Sequence, residues 1–242
     1  MTVLMRATEE KWLKNLYGEE YEEYCRQVNR CWPWFRRGDK AVTAKQILQK
    51  KGAFKAEMDR MMPREQSDAL WQKGEERLDR ILQRYSSLPK GLQMHTRDRI
   101  FPAAAIYLTL KDELGQEKAY KVIEDSAVKG CAEIAKKLRK LMKVPGMRGL
   151  FVAAWDPLTK KIFGADNGFQ NVFYPKEKGR YRMDIVACPY NRYFTELGCP
   201  ELTKIFCEND ERIYGKLPGL IFERTGTLGK GAQRCDFLIR KL

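Results

Sequence analysis

A change of hydrophobic period near Pro145 and Gly146 constrains this chain more than any other feature. Upstream of it, apolar side chains recur every three or four residues, the spacing that puts them on one face of an α-helix. Residues 64–85 carry Leu70, Leu78, Ile81, Leu82 and Tyr85 in this pattern. Residues 98–114 carry Ile100, Ala104, Tyr107, Leu108 and Leu114. Residues 116–143 carry Tyr120, Ile123, Ala127, Cys131, Ile134, Leu138 and Leu141, and the Pro-Gly pair ends that helix. Downstream, the apolar runs are short and rich in β-branched and aromatic residues. Gly149–Trp155 and Lys161–Ala165 read as strands around a DPLT turn, and Val172–Tyr174 as a short strand. Arg180–Ala187 alternates in polarity and reads as a longer strand. Helices are expected at 189–197 and 200–216. Two antiparallel strands, 220–227 and 233–240, close the chain around Gly229–Gly231. Helices first and a sheet after, with two helices inserted, give an α+β fold: N-terminal helices packed on a C-terminal, mostly antiparallel sheet.

Before residue 64 the pattern is weaker. Residues 1–40 read as a helical appendage broken at Gly18, and 41–63 as a polar linker with breaks at Gly52 and Pro63. The main domain is then 64–242. No apolar run approaches the roughly 20 residues that span a bilayer, and the first residues carry charge where a signal peptide would be apolar. The expected location is cytoplasmic. Seven cysteines, an odd number, fit free thiols in a reducing compartment, and no CxxC pair is present.

The net charge is +14. Its densest cluster, Lys136, Lys137, Arg139, Lys140 and Lys143, interleaves with Leu138, Leu141 and Met142 as the wet face of an amphipathic helix does. No recognition motif accompanies the charge, so nucleic acid is not the expected partner. Trp32, Trp34 and Phe35 beside Arg36 and Arg37 leave weak peripheral membrane contact through residues 1–40 open, and homo-oligomerisation stays open too.

The last fifty-five residues hold the chemistry-bearing side chains. Cys188 precedes Pro189 at a strand-to-helix junction and is the expected N-cap. A thiol there feels the positive end of the helix dipole, which favours thiolate. Cys207, Asp210 and Tyr214 fall at i, i+3 and i+7 on one helix, so a thiol, a carboxylate and a phenol share one side. Strand alternation puts Arg224 on the face of Phe222, and an inward Arg needs an anion. That anion is a substrate carboxylate, or structurally Asp210 or Asp236. Cys235 shares a face with Phe237, and Asp236 points the other way. Cys188, Cys207 and Cys235, with Asp210 or His95, form a weak metal-ligand set whose spacings match no zinc pattern. The expected site holds no metal and no cofactor. His95, the single histidine, is expected to be exposed in a polar loop.

Two resemblances follow from these residues. E-x2-W-L-x3-Y-G-E-E-Y-E-E-Y-C-x5-C-W-P, over about residues 9–35, looks like the cytosolic tail of isoprenylcysteine carboxyl methyltransferase-like membrane enzymes. The transmembrane helices of those enzymes have no counterpart here, so no methyltransferase activity is carried over. C-P-Y-x3-F-x2-L-G-x-P-E-L-x4-C-x2-D, then F-E-R-T-G-T-L-x2-G-x3-C-D-F, resembles the L-2-amino-thiazoline-4-carboxylic acid hydrolase family, densely over about 183–240. The closing strand pair also resembles vinyl-reductase-type ligand-binding domains, α+β folds that enclose a small molecule. The hydrolase resemblance implies that water adds to the carbon between ring nitrogen and ring sulfur of a cyclic amidine. The C–S bond then opens to N-carbamoyl-cysteine. The residues above suit that task, and catalytic roles are expected for Cys188, Cys207 and Asp210, with substrate contacts from Arg224, Tyr214 and Cys235. The competing reading is a non-catalytic small-molecule-binding or sensory domain with structural or zinc-binding cysteines.

Overall fold

A computed structural model of the chain describes residues 42–242, together with Leu13, Asn15, Tyr17, Gly18 and Glu19, which are helical. The methyltransferase-like segment and the aromatic-basic stretch at 32–37 otherwise lie outside the described residues. The chain divides into two compact units, Met1–Thr43 and Ala44–Leu242, and the fold below is that of the second.

Five helices open this unit: α1 Ala44–Gln49, α2 Gly52–Met61, α3 Arg64–Arg84, α4 Lys90–His95 and α5 Phe101–Leu114. The long α6 Gln116–Leu141 follows. The linker reading of 41–63 is therefore corrected. Ala44, Ile47, Leu48 and Met58 are buried and belong to the helical core, because scattered apolar residues in a polar stretch still sum to one helical stripe. α3 and α5 pack closely at Gly74, where a Cβ would stand 2.6 Å from Ile106 Cδ1. The stretch read as a loop before α5 contains α4 and one π turn, Thr96–Ile100.

The first two expected strands are absent. Residues 147–162 form one helix, α7 Met147–Ile162, with Val152, Trp155 and Thr159 buried at helical spacing. β-branched and aromatic residues over 149–155 imitate a strand, but the tertiary surface selects the period of three and four. Pro157 sits inside α7. It cannot bond the carbonyl four residues back, and that residue, Ala153, is exposed, so water can reach the orphaned group.

The sheet has four antiparallel strands: β1 Gln170–Phe173, β2 Arg180–Ala187, β3 Leu220–Glu223 and β4 Cys235–Lys241, in the order β1-β2-β4-β3. Two helices, α8 Pro189–Glu196 and α9 Leu202–Tyr214, are inserted between β2 and β3. Met183 pairs with Phe237 and Ile185 with Cys235, so one sheet face carries Tyr181, Met183, Ile185, Cys235, Phe237 and Ile239 inward. α7 packs on that sheet, while α9 runs along α6. The inserted helices thus join the helical layer to the sheet, and the fold is α+β. Among the described residues no helix is long and apolar enough to cross a membrane.

Candidate functional site

The site is built where the loop between β3 and β4 folds onto α9. Asp236, pointing out from β4, accepts hydrogen bonds from the Thr225 amide (2.9 Å), the Thr225 hydroxyl (2.8 Å) and the Gly226 amide (2.8 Å). Burial pushes its carboxyl up, but the Gly226 and Thr225 donors outweigh that, and its pKa lies below the ordinary value. One residue earlier, Cys235 points inward and its Sγ accepts the Leu228 amide at 3.2 Å. The Lys230 and Ala232 amides both donate to the Thr227 carbonyl at 3.0 Å. Adjacent residues of one strand therefore grip the loop from opposite sides.

The loop is held against Cys207. Position 229 must be glycine, because a Cβ there would lie 2.9 Å from Cys207 Sγ and 2.9 Å from the Thr203 methyl. Thr203 and Cys207 are one helical turn apart on α9, so both meet the loop. Cys207 Sγ faces the Cys235 thiol, the Gly229 amide, the Thr227 hydroxyl and the Arg224 guanidinium. The Cys235 contact lowers the Cys207 pKa most. Burial opposes it, and the remaining neighbours tip the balance, so Cys207 holds the thiolate below the usual thiol range. Cys235 moves the opposite way and keeps the shared proton. Cys207 borders a cleft of about 430 Å³ lined also by Glu208, Arg212, Arg224, Thr227 and Lys230.

Arg224 points inward, as strand alternation implied; its side chain is 8% exposed. Its Nη2 donates to Asp210 Oδ2 at 2.6 Å and its Nη1 to the Cys207 carbonyl at 2.8 Å. The guanidinium carbon lies 5.2 Å and 5.5 Å from the ring centroids of Phe222 and Phe237, a cation–π seat. Of the two structural partners considered from sequence, Asp210 is the one engaged. Asp236 is taken by the loop.

Tyr214 sits in an aromatic box with ring centroids 5.0 Å from Trp155, 6.0 Å from Phe222 and 6.3 Å from Phe237. Burial, then the nearby Asp210 charge, pushes its hydroxyl up. Cys188 is the N-cap of α8, as expected, but its thiol behaves otherwise. Burial pushes its pKa up to about 11, and the opposing amides of Asn191 and Tyr190 do not compensate. The helix-dipole argument for a Cys188 thiolate fails because desolvation of the charged form is the larger effect. Cys188 stands near enough to Cys207 and Asp210 to interact with both.

His95 is buried at 2% exposure, which corrects the exposed-loop reading. Its Nε2 bonds the Ile162 carbonyl at 2.9 Å, so Nε2 carries the proton. Nδ1 is then an acceptor and receives the Tyr190 hydroxyl proton at 3.2 Å. Burial lowers its pKa and keeps it neutral. Among the described residues no group of three His, Cys, Asp or Glu side chains is placed to hold a metal ion, so the cysteines do not gather into the ligand set considered from sequence. The five described cysteines are free thiols.

Sequence reading missed Thr227, Gly229 and Tyr190, although all three lie within the two motifs quoted above. The signal was present as spacing, but only the folded loop shows that Gly229, more than 20 residues from Cys207, lies against its sulfur.

A helical layer joined to a four-stranded antiparallel sheet, with a thiol of lowered pKa bordering a cleft, defines an α+β protein. A family model described as L-2-amino-thiazoline-4-carboxylic acid hydrolase matches residues 93–239. That span is more than half of the chain, and the chain belongs to this family. No curated protein and no solved structure matches it.

Proposed function

We propose that this protein is a hydrolase that opens a small cyclic amidine acid of the 2-amino-thiazoline-4-carboxylate type, with Cys207 as nucleophile. The Cys207 thiolate seat beside the cleft carries the reading, and the family membership supports it.

The substrate amidine is basic and enters as an amidinium. Arg224 occupies Oδ2 of Asp210, while Oδ1 has no hydrogen-bond partner among the described residues and can pair with that cation. The Cys207 sulfur attacks the amidine carbon and the C=N electron pair moves to nitrogen, giving a neutral tetrahedral adduct. The adduct expels the ring sulfur as a thiolate and leaves an isothiouronium on Cys207. Water adds to the same carbon, and one of its protons goes to the released thiolate. Cleavage of the Cys207–carbon bond regenerates the enzyme thiolate and releases N-carbamoyl-cysteine, with the last proton going to solvent. Cys188, protonated at neutral pH, is not the attacking group.

The test is release of a free thiol from 2-amino-thiazoline-4-carboxylate by the purified protein, with Cys207→Ser and Cys188→Ser beside it. Turnover that survives Cys188→Ser and vanishes in Cys207→Ser is expected. Full activity of Cys207→Ser removes the nucleophile assignment. No turnover by the unsubstituted protein returns the domain to a non-catalytic binding role.

A further inference from the structure

Helix α7 is apolar on both sides. Val152, Trp155 and Thr159 are its buried residues and pack toward the sheet. Its other side carries Leu150, Ala153, Ala154, Pro157 and Leu158, all exposed, with Leu150 at 60%. Between Arg148 and Asp156 the helix has no charged residue. A surface helix ordinarily turns charge outward, and a helix that is apolar all round is ordinarily buried.

The bend before α7 continues this surface. The Val144 amide donates to the Leu141 carbonyl at 3.1 Å, and the Met147 amide to the Val144 carbonyl at 3.2 Å. The Leu150 amide donates to the Gly146 carbonyl at 3.2 Å. Leu141, Val144 and Leu150 therefore follow one another around a single tight bend, and all three are exposed, Val144 at 51%. Gly146, with φ at +82°, supplies the left-handed conformation that the bend needs. The bend is anchored from beneath. Met142 is fully buried in the sheet core, and Arg148 Nε donates to its carbonyl at 3.0 Å. The apolar tip is thus held outward by packed structure.

Charge surrounds the tip. Residues 134–155 include Lys136, Lys137, Arg139, Lys140, Lys143 and Arg148, and no Asp or Glu. Lys136, Lys137, Lys140 and Lys143 are exposed and make no ion pair among the described residues. A second copy of the chain in two-fold contact here would set these cations against their like. Single-stranded nucleic acid is gripped by rings on which bases stack, and base readout favours the Arg fork. No aromatic ring is among the exposed large hydrophobic residues of this region, and most of its cations are Lys. Aliphatic side chains amid lysines suit an anionic lipid surface, where the apolar groups enter the headgroup layer and the ammonium groups meet the lipid charge.

We infer that the α6–α7 bend and the outer side of α7 dock on an anionic lipid surface, with Val144 and Leu150 entering the headgroup layer and Lys137, Lys140 and Lys143 facing the anionic headgroups. The helix lies on the membrane and does not cross it; no helix among the described residues is long and apolar enough to do so. The inference is independent of the hydrolase reading, because none of these side chains lines the cleft at Cys207.

The experiment measures binding of the full chain to phosphatidylcholine vesicles with and without about 25% phosphatidylserine, at low and high salt. A duplex oligonucleotide is measured beside them. The variants are Lys137→Ala/Lys140→Ala/Lys143→Ala, Val144→Ser/Leu150→Ser and, at the opposite end of α6, Lys118→Ala, each checked for an unchanged melting transition. The unsubstituted protein is expected to bind only the phosphatidylserine vesicles and to release them as salt rises. The triple variant should lose on the order of 100-fold in affinity, about fivefold for each lysine, and Lys118→Ala much less. The Val144→Ser/Leu150→Ser variant should lose about 10-fold. No vesicle binding by the unsubstituted protein overturns the inference. Binding that the triple variant retains also overturns it, and puts the membrane contact elsewhere in the chain. A loss in the triple variant with none in Val144→Ser/Leu150→Ser, or tighter binding to the oligonucleotide than to the vesicles, overturns it as well.

Discussion

The helical half and the sheet half of this molecule are packed from different materials. Around α5 and α6 the core is mainly aliphatic and small, with Ala103, Ala104, Ala105, Ile106, Leu110, Val122 and Ile123 all essentially buried beside a few large rings such as Phe101 and Tyr107. Two of its buried hydroxyls are satisfied within their own helical segments, Thr109 by the Ala105 carbonyl at 2.8 Å and Thr96 by that of Leu92 at 3.0 Å, while Ser126 reaches the Ala53 carbonyl at 3.2 Å and Ser67 reaches Asp59 Oδ1 at 2.6 Å on neighbouring helices. Against the sheet the core is aromatic, with Trp155, Tyr181, Tyr214, Phe222 and Phe237 in mutual ring contact. That half also admits a guanidinium and two sulfurs, which hydrogen-bond across elements, Arg224 to the Cys207 carbonyl and Cys235 to the Leu228 amide. The contrast is physical. Alkyl groups offer only area and shape, so charge among them is costly. Ring faces carry negative quadrupole and can hold Arg224, which in turn steadies a neighbouring anion. The first half is a scaffold, and the second can keep a reactive group.

This contrast can be broken or sharpened by substitution. The largest effect is expected in the aromatic half: Cys207→Ser should lower kcat/KM on the order of 10³-fold or more, while Cys188→Ser changes it only a few-fold. Alkylation by iodoacetamide near neutral pH, followed by peptide mapping, should label Cys207 ahead of Cys188 and Cys131. Faster labelling of Cys188 would reverse the assignment. In the aliphatic half, Leu78→Ala should cost about 2–5 kcal/mol in denaturant unfolding yet leave the kinetic constants alone. A matching loss of activity in the folded variant would show that the halves are not separable in function.

At their junction, Gly229→Ala should cost about 1–3 kcal/mol, because the methyl must displace Cys207 Sγ or Thr203, and it should slow Cys207 alkylation. Unchanged reactivity would detach the loop amide from the thiolate. The smallest effect belongs to His95, whose folded pKa is depressed below the ordinary value of 6.5 by burial. The unfolded chain then binds the proton more readily. The contribution to stability is present above the unfolded value and is lost as pH falls toward the folded one. Melting temperatures should therefore decline from pH 7 to pH 5, and His95→Gln should flatten that slope. An equal slope in the variant would assign the acid sensitivity to other groups.

Most of the helical half was legible because its apolar stripes are long; α3, α5 and α6 fall close to where periodicity puts them. α1 and α2 were not, since six and ten residues give too few turns to rise above a polar background. α7 was misread for a sharper reason. Val, Phe and Trp favour strands locally, and only packing of Val152, Trp155 and Thr159 against the sheet makes their helical spacing decisive. Within the candidate site, alternation along β3 turned Arg224 inward and helical spacing put Cys207 beside Asp210. Neither argument reveals that Cys207 meets the loop at Gly229.

The sequence by itself determined the element types with long periodic signals, the N-cap position of Cys188, the inward turn of Arg224 and the family. Tertiary structure alone decided which thiol is the anion. A pKa is set by everything within a few ångströms of a sulfur, and those neighbours come from β4, a loop and a strand end that sequence order keeps apart. Local helix-dipole reasoning favoured Cys188; burial there and converging donors at Cys207 reversed the order.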